Sequence, residues 1–452
     1  MRKAMRRVCN GLLVLLAIAG MLWALARWMG PSEEQKEALA ILARKDIPVG
    51  RNAFPAMWLL PYDVPEEQLE AVAAEDAANF HRLPKYDPRD LDPPDMGSVA
   101  EDRFGRVVGV GPDAMRCSLR EPGCLAKVRA DPAAYAQWRK DNARLFERAQ
   151  AVSHYDYYRN PFPARVDLVL PPFQYYGVLP TMRALDFANG RREFAVEGVC
   201  RDMAMWRNLS KGTDTLILRM IAIAGIRGSS SLLAEMLQEL PSDFPLPAAC
   251  MTAVAAPVGE EIGLCGSMRG EAAWTRSVTG AVGASGRMSE SWFVDALMPV
   301  LYDGKGTESM MAPAYAWPCS QEAMDAITED RPLEIPQHRR SVVRIECAGN
   351  PVGCFLADAG AGAYDKYLQR SQDSGAQLRL IGTLLWLHRH AGDGRPLAER
   401  LASRPEDLKS QTRDIEVVNG GKALSIRMFD DSRGETFELP LPAYLQDAAL
   451  TN

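Results

Sequence analysis

Apolar and polar positions follow three different patterns along this chain, and each predicts a different element. Behind Arg2, Lys3, Arg6 and Arg7, the run Gly11 to Ala26 (GLLVLLAIAGMLWALA) holds sixteen residues without a charge. As a helix it reaches about 24 Å, and extending it from Val8 to Met29 gives about 33 Å, enough for a hydrocarbon core of roughly 30 Å. From Ser32 to about residue 403 the apolar residues recur mainly at helical spacing. From Asp414 onward the period changes to two.

Within the helical part, Ser32 and Gln35 form a capping-box pattern that opens a helix to about Arg44. Asp63 and Pro65 start a second helix, with Leu69, Val72, Ala73 and Phe80 on one face. Residues 83–130, rich in Pro, Asp and Gly, read as an ordered loop rather than a core element. Asp131-Pro132 begins a helix to about Tyr158 whose stripe is Tyr135, Trp138, Leu145, Ala149 and Val152. A short extended piece is expected at Arg165 to Leu170. From Tyr176 to Leu240, breaks at Gly190-Arg191, Gly212 and Pro241 predict helical hairpins. Residues 246–335 read as weaker helices, with Trp274, Trp292, Phe293 and Trp317 as packing anchors. The last long helix runs from about Tyr364 to His390, stopped by Gly392-Asp393-Gly394, and a short one follows from Pro396 to Ser403.

The tail segments DIEVV, ALSIRMF and ETFELPL are separated by the turns NGGK and DDSRG. Ile415 and Val417, Leu424, Ile426 and Met428, and Phe437 and Leu439 point one way, which predicts a three-stranded antiparallel meander. A small sheet needs cover, expected from the preceding long helix. The predicted fold is therefore mainly α: an N-terminal transmembrane helix, an irregular helical bundle or hairpin array, and a small C-terminal β-meander packed on a long helix. The expected divisions are 1–30 (cytoplasmic tip and signal-anchor), 31–410 (helical domain, with a point of subdivision near 241–246) and 411–445 (meander).

Charge changes this picture by giving it a direction. The chain of 452 residues has 52 Lys plus Arg against 58 Asp plus Glu, a net −6. Four of the bases and none of the acids precede Arg27, so the remainder stands at −10. Bases before the segment and acids after it (Glu33, Glu34, Glu37), with Trp23 and Trp28 near its far end, predict an N-in, C-out orientation. The bulk of the chain is then exported, in a bacterium to the periplasm, with a single pass in the inner membrane. Ala24-Leu25-Ala26 also fits a signal-peptidase site; the reading adopted is an uncleaved anchor. The apolar run Leu216 to Ile226, interrupted by Arg219, is too short to span. An acidic body offers no average attraction for nucleic acid.

Topology also divides the nine cysteines, placing Cys9 at the cytoplasmic edge and eight outside. In an oxidising compartment the eight can pair completely. Local pairs Cys117 with Cys124 and Cys347 with Cys354 enclose turn residues, and each would stabilise by roughly 2 to 3 kcal/mol. Cys200, Cys250, Cys265 and Cys319 would pair in an order that spacing does not decide. Free buried thiols are the alternative; zinc is disfavoured because no CxxC occurs.

Motifs for catalysis are sparse. The sequence has no HExxH, GxSxG, P-loop or SxxK pattern, and Gly109-Val110-Gly111 reads as a turn. No metal site or cofactor is predicted. His388 and His390 read as helix C-terminal cations, and the acid pair Glu260-Glu261 is unremarkable among 58 acids. The stretch containing Tyr155, Tyr157, Tyr158, Phe173, Tyr175 and Tyr176 has a composition suited to a ligand platform for a sugar or peptide. The preferred reading is that the same rings pack a junction between two helical units.

Two segments carry a resemblance. Leu179 to Leu240 (including MRALDFANGRREFAVEGVCRDMAMWRNL and LILRMIAIAGIRGSSSLLAEML) and Gln377 to Pro440 (including QLRLIGTLLWLHRH and IEVVNGGKALSIRMFDDSRGETFELPLP) resemble a family of exported, membrane-anchored bacterial helical proteins with a pseudopilin-like strand tail. The resemblance implies export and a helical body, with no activity or residue role. The functional expectation is a membrane-tethered, non-enzymatic binding or scaffold protein of the cell envelope with an envelope protein partner. The competing expectation is an envelope hydrolase acting on a glycan or peptide.

Overall fold

Helix dominates because long stretches bury one apolar stripe and have few β-branched runs; 65% of the chain is helical, with one small sheet near the C-terminus. The computed structural model describes residues 2–84, 96–107, 115–285, 292–336, 344–360 and 362–446. The Gly109-Val110-Gly111 turn and His338 lie outside the described residues, as does the side chain of Trp292.

Helix α1 (Arg2–Met29) is free of charge from Val8 to Ala26 and largely exposed, with Trp23, Ala26 and Arg27 partly buried near its end. After a break at Gly30, α2 (Glu33–Leu42) opens with the predicted capping box: Ser32 Oγ accepts from Gln35 N at 3.2 Å, and Gln35 Oε1 accepts from Ser32 N at 3.0 Å. Helix α3 (Leu69–Arg82) is preceded by a single tight turn at Glu66–Gln68.

The next prediction needs correction. Instead of one helix to Tyr158 there are two, α4 (Pro132–Asp141) and α5 (Ala143–Ala151), broken at Asn142. At Asn142 the backbone leaves the helical region (φ −112°, ψ 11°), and its buried side-chain amide joins its own N–H on Trp138 O, at 2.9 and 3.0 Å. A short helix at Cys124–Ala130, within the stretch read as loop, puts Leu125 and Val128 into the core. No strand forms at 165–170. There Arg165 pairs with Asp167 at 2.7 Å and donates to Phe80 O in the last turn of α3 at 3.4 Å and to Leu83 O and Pro84 O just past its end at 3.1 and 2.6 Å. Those donor positions suit a turn that caps a helix end better than a ladder.

Helices α6 (Val178–Ala188), α7 (Arg192–Lys211) and α8 (Leu216–Leu237) are consecutive hairpin partners. Most of α8 is buried, so its apolar sequence is that of a core helix. Beyond it come α9 (Cys265–Ser285), α10 (Trp292–Leu301), α11 (Gly304–Ala316), α12 (Gln321–Thr328), α13 (Ile345–Gly349), α14 (Pro351–Ala359) and the long α15 (Asp365–Arg389). Trp274 and Trp317 are half-buried, whereas Phe293 is exposed and does not anchor packing as expected.

Strands β1 (Ile415–Val418), β2 (Ala423–Arg427) and β3 (Thr436–Pro440) form an antiparallel sheet in that order. The pairing Val418↔Ala423 leaves a four-residue turn in which Asn419, Gly420 and Gly421 all have positive φ. The seven inward residues named above are buried except Val417, which is partly exposed.

Two buried clusters organise the whole. One draws on residues from Ala53 to Val254 together with Ala376 to Leu445; the other joins α2 to segments between Leu216 and Leu368. The sheet is fixed electrostatically as well. Arg413, fully buried, donates from Nη1 to Asp373 of α15 at 2.7 Å and from Nε to Asp330 at 3.0 Å. Arg379 reaches the same Asp330 at 3.2 Å.

Candidate functional site

All eight cysteines expected outside the membrane pair: Cys117–Cys124, Cys200–Cys250, Cys265–Cys319 and Cys347–Cys354. Cys9 is free and exposed on α1. Both local pairs are those expected from spacing, and the structure supplies the order of the other four.

The aromatic stretch is brought together mostly as core. Tyr155, Tyr158 and Tyr176 are buried, Tyr158 against Phe54 with centroids 5.7 Å apart and Tyr176 against Trp206 at 5.3 Å. Their burial pushes the Tyr158 and Tyr176 phenols well above the ordinary range. Neither hydroxyl finds a partner among the described residues. Tyr157, Phe173 and Tyr175 are half-buried, and Arg116 lies over the Tyr175 ring at 4.9 Å. Of the six, Phe173 lines a shallow surface hollow of about 700 Å³ beside the first disulfide.

The other chemical candidates are engaged structurally. Glu261 takes the Arg207 guanidinium, with Nη2 to Oε2 at 2.8 Å, while Glu260 faces Lys211 at 3.6 Å. His388, expected as a helix-end cation, is buried and bonded to Tyr444 Oη at 2.6 Å and Phe244 O at 2.9 Å, which ties the tail to the body. His390 is exposed just past the end of α15 and stacks on Trp386, centroids 4.7 Å apart. Among the described residues no His, Cys, Asp and Glu cluster has metal-binding geometry.

A site that sequence reasoning did not single out lies at the foot of α1. The inner side of α2 packs through Ala38 and Leu42 into the second cluster, and its polar side forms one wall of a cleft of about 580 Å³. Met310 and Trp317, at and just beyond α11, form the facing wall, with Arg344, Glu346 and Asp358 at one end. Arg344 Nη2 donates to both Asp358 oxygens at 2.9 and 2.8 Å, and Nη1 to Glu346 at 3.4 Å. Gln35 Nε2 donates to Glu346 at 3.4 Å. This contact separates the cleft from a second hollow of about 390 Å³ on the other side of α2, lined by Arg27, Asp303 and Lys305 among others.

Chemically the larger cleft is acidic with an apolar floor. Glu34, Glu37, Glu346 and Asp358 face it against one base, Arg344, among the described lining residues. Such a surface favours a cationic group that also carries apolar contact area. No local motif announces it, since its walls come from α2, α11 and the segments around 335 and 344–358.

The body also grips the end of α1. Trp23 Nε1 donates to Val300 O at 2.8 Å; Arg27 Nε donates to Gly349 O at 2.8 Å and its Nη2 to Tyr302 O at 3.0 Å. Gly349 permits this approach, because a Cβ there would sit 2.9 Å from Ala26 Cβ. No family model, curated protein or solved structure matches this chain.

Proposed function

We propose that this chain is a membrane-tethered, non-enzymatic binding or scaffold protein of the bacterial envelope, with α1 as an uncleaved, N-in, single-pass anchor in the inner membrane and the disulfide-framed body in the periplasm. Its cleft beside α2 receives a basic, partly apolar segment of a partner envelope protein. The observation that carries this reading is the grip on α1: Trp23 and Arg27 flank the Ala24-Leu25-Ala26 site and both bond to the body. Cleavage there would separate Trp23 from the body. Four disulfides support an oxidising compartment. Binding is favoured over hydrolysis because Glu346 and Asp358 are held in ion pairs with Arg344.

Site-specific photo-crosslinking in intact membranes tests the cleft. A photoreactive residue at position 37 or 317 is expected to trap one envelope polypeptide, and Glu34→Lys/Glu37→Lys is expected to weaken capture from position 317 at least fivefold. An adduct pattern identical to that from exposed position 406 overturns the proposal.

A further inference from the structure

Resting on the anchor reading, we infer that α10 is a second membrane contact: its apolar face lies in the outer interfacial layer of the bilayer that α1 crosses. The sequence of α10 is WFVDALMPVL, and Met298 is the buried residue among its described side chains. Phe293 is 57% exposed, Leu297 37% and Val300 47%, and these fall at i, i+4 and i+7 on one face of the helix. Val294, Ala296 and Pro299 widen it, and all are exposed. The helix carries one charge, Asp295, on its half-buried side. An apolar surface of this extent in water is a mark of a protein or membrane contact.

Continuity with the anchor selects the membrane. Counted from Val8, Trp23 and Arg27 lie fifteen and nineteen residues on, so α1 reaches about 22 and 28 Å at these points, approaching the outer edge of a core of roughly 30 Å. At this level Trp23 bonds to Val300 O, and Arg27 Nη2 to Pro299 O at 3.1 Å and Tyr302 O at 3.0 Å. These carbonyls are at the C-terminal end of α10, where the helix supplies no donors of its own. Near lipid an unsatisfied carbonyl is costly, and a cation at a helix C-terminus is favourable, so Arg27 makes the position tenable. The patch continues onto neighbouring elements: Ile345 on α13, which packs on α1, and Phe355 and Leu356 on α14, which touches α10, are exposed.

The test uses the full chain in vesicles of phosphatidylethanolamine and phosphatidylglycerol containing a phospholipid with a diazirine near the headgroup end of one acyl chain. After illumination, adducts are mapped by mass spectrometry. Adducts are expected in α1 and at 293–300, at least tenfold above those on Lys409. Leu297→Glu/Val300→Glu is expected to remove the α10 adducts while α1 labelling and the four disulfides persist. Adducts confined to α1 overturn the inference, assign the face to a partner protein and leave the anchor standing. A chain unlabelled in α1 overturns the anchor reading and this inference with it.

Discussion

Replacing Arg413 with Met removes the cation shared by Asp330 and Asp373. The guanidinium side chain is 0% exposed and the two carboxylates 5% and 6%. Water therefore cannot substitute for it. Breaking a buried ion pair from one side costs about 3–5 kcal/mol, since a charge is left without its partner. Here the surviving donors place the cost near the lower end. Asp373 keeps the N–H groups of Phe429 and Asp430 at 2.8 and 3.0 Å, and Asp330 keeps Arg379 at 3.2 Å. About 3 kcal/mol corresponds to roughly a hundredfold rise in the opening equilibrium. Hydrogen exchange is the direct assay: amides of 415–440 in Arg413→Met are expected to exchange about a hundredfold faster, with α7 unchanged. Arg413→Met combined with Asp373→Asn is expected to regain much of the protection, because Asp330 keeps Arg379 and no carboxylate is then left without a cation. Exchange within threefold of the unsubstituted protein would refute the reasoning.

Three other perturbations probe the framework. Burial pushes Asp214 up to about 6, against the lowering effects of the Asn160 N–H and the Arg159 charge. Its folded value exceeds the unfolded one of about 3.9, so its stabilising protonation is present below pH 4 and lost as pH rises through 6. Asp214→Asn should therefore gain stability relative to the native chain between pH 4 and 7, by up to about 3 kcal/mol in denaturant titrations; a constant difference rejects this. Cys200→Ala/Cys250→Ala opens a cross-link spanning 50 positions, and chain entropy sets the loss at about 4 kcal/mol, read as an earlier unfolding midpoint. For Arg27→Ala, the lost charged hydrogen bonds, each worth about 1.5–3 kcal/mol, are expected to speed exchange in 299–303 at least tenfold without altering that of α7.

Legibility from sequence followed the range of the physics. The capping box at Ser32, the hairpin breaks at Gly190 and Gly212 and the period-two tail are signals carried within a few residues, and they located α2, α7, α8 and the strands. Asn142 breaks a helix whose apolar stripe runs on undisturbed, because the break is one residue's departure from helical backbone (φ −112°, ψ 11°) with no Gly or Pro to announce it. Arg165 reads as part of a strand until the carbonyls at and just past the end of α3 that it caps are in place. The cleft was invisible for a stronger reason: Gln35 and Glu346 meet across 311 positions of sequence. Phe293 misled in the opposite direction, since an aromatic ring in a helix suggests core and here faces outward.

The first buried cluster has an implication for how the chain must mature. Its members occupy two stretches, Ala53 to Val254 and Ala376 to Leu445, with most of the second cluster's chain, Ile262 to Leu368, between them. Synthesis at roughly 5–20 residues per second delivers the later stretch on the order of ten seconds after the earlier one. Throughout that interval α8 lacks both α15 and β3, the neighbours that cover it in the finished fold. The Cys200–Cys250 bond needs only residues already made, so oxidation has time to lock α7 before the tail arrives. A stop codon just upstream of α15 would thus yield a chain with its covalent staple in place and its core open, a natural substrate for quality-control proteases.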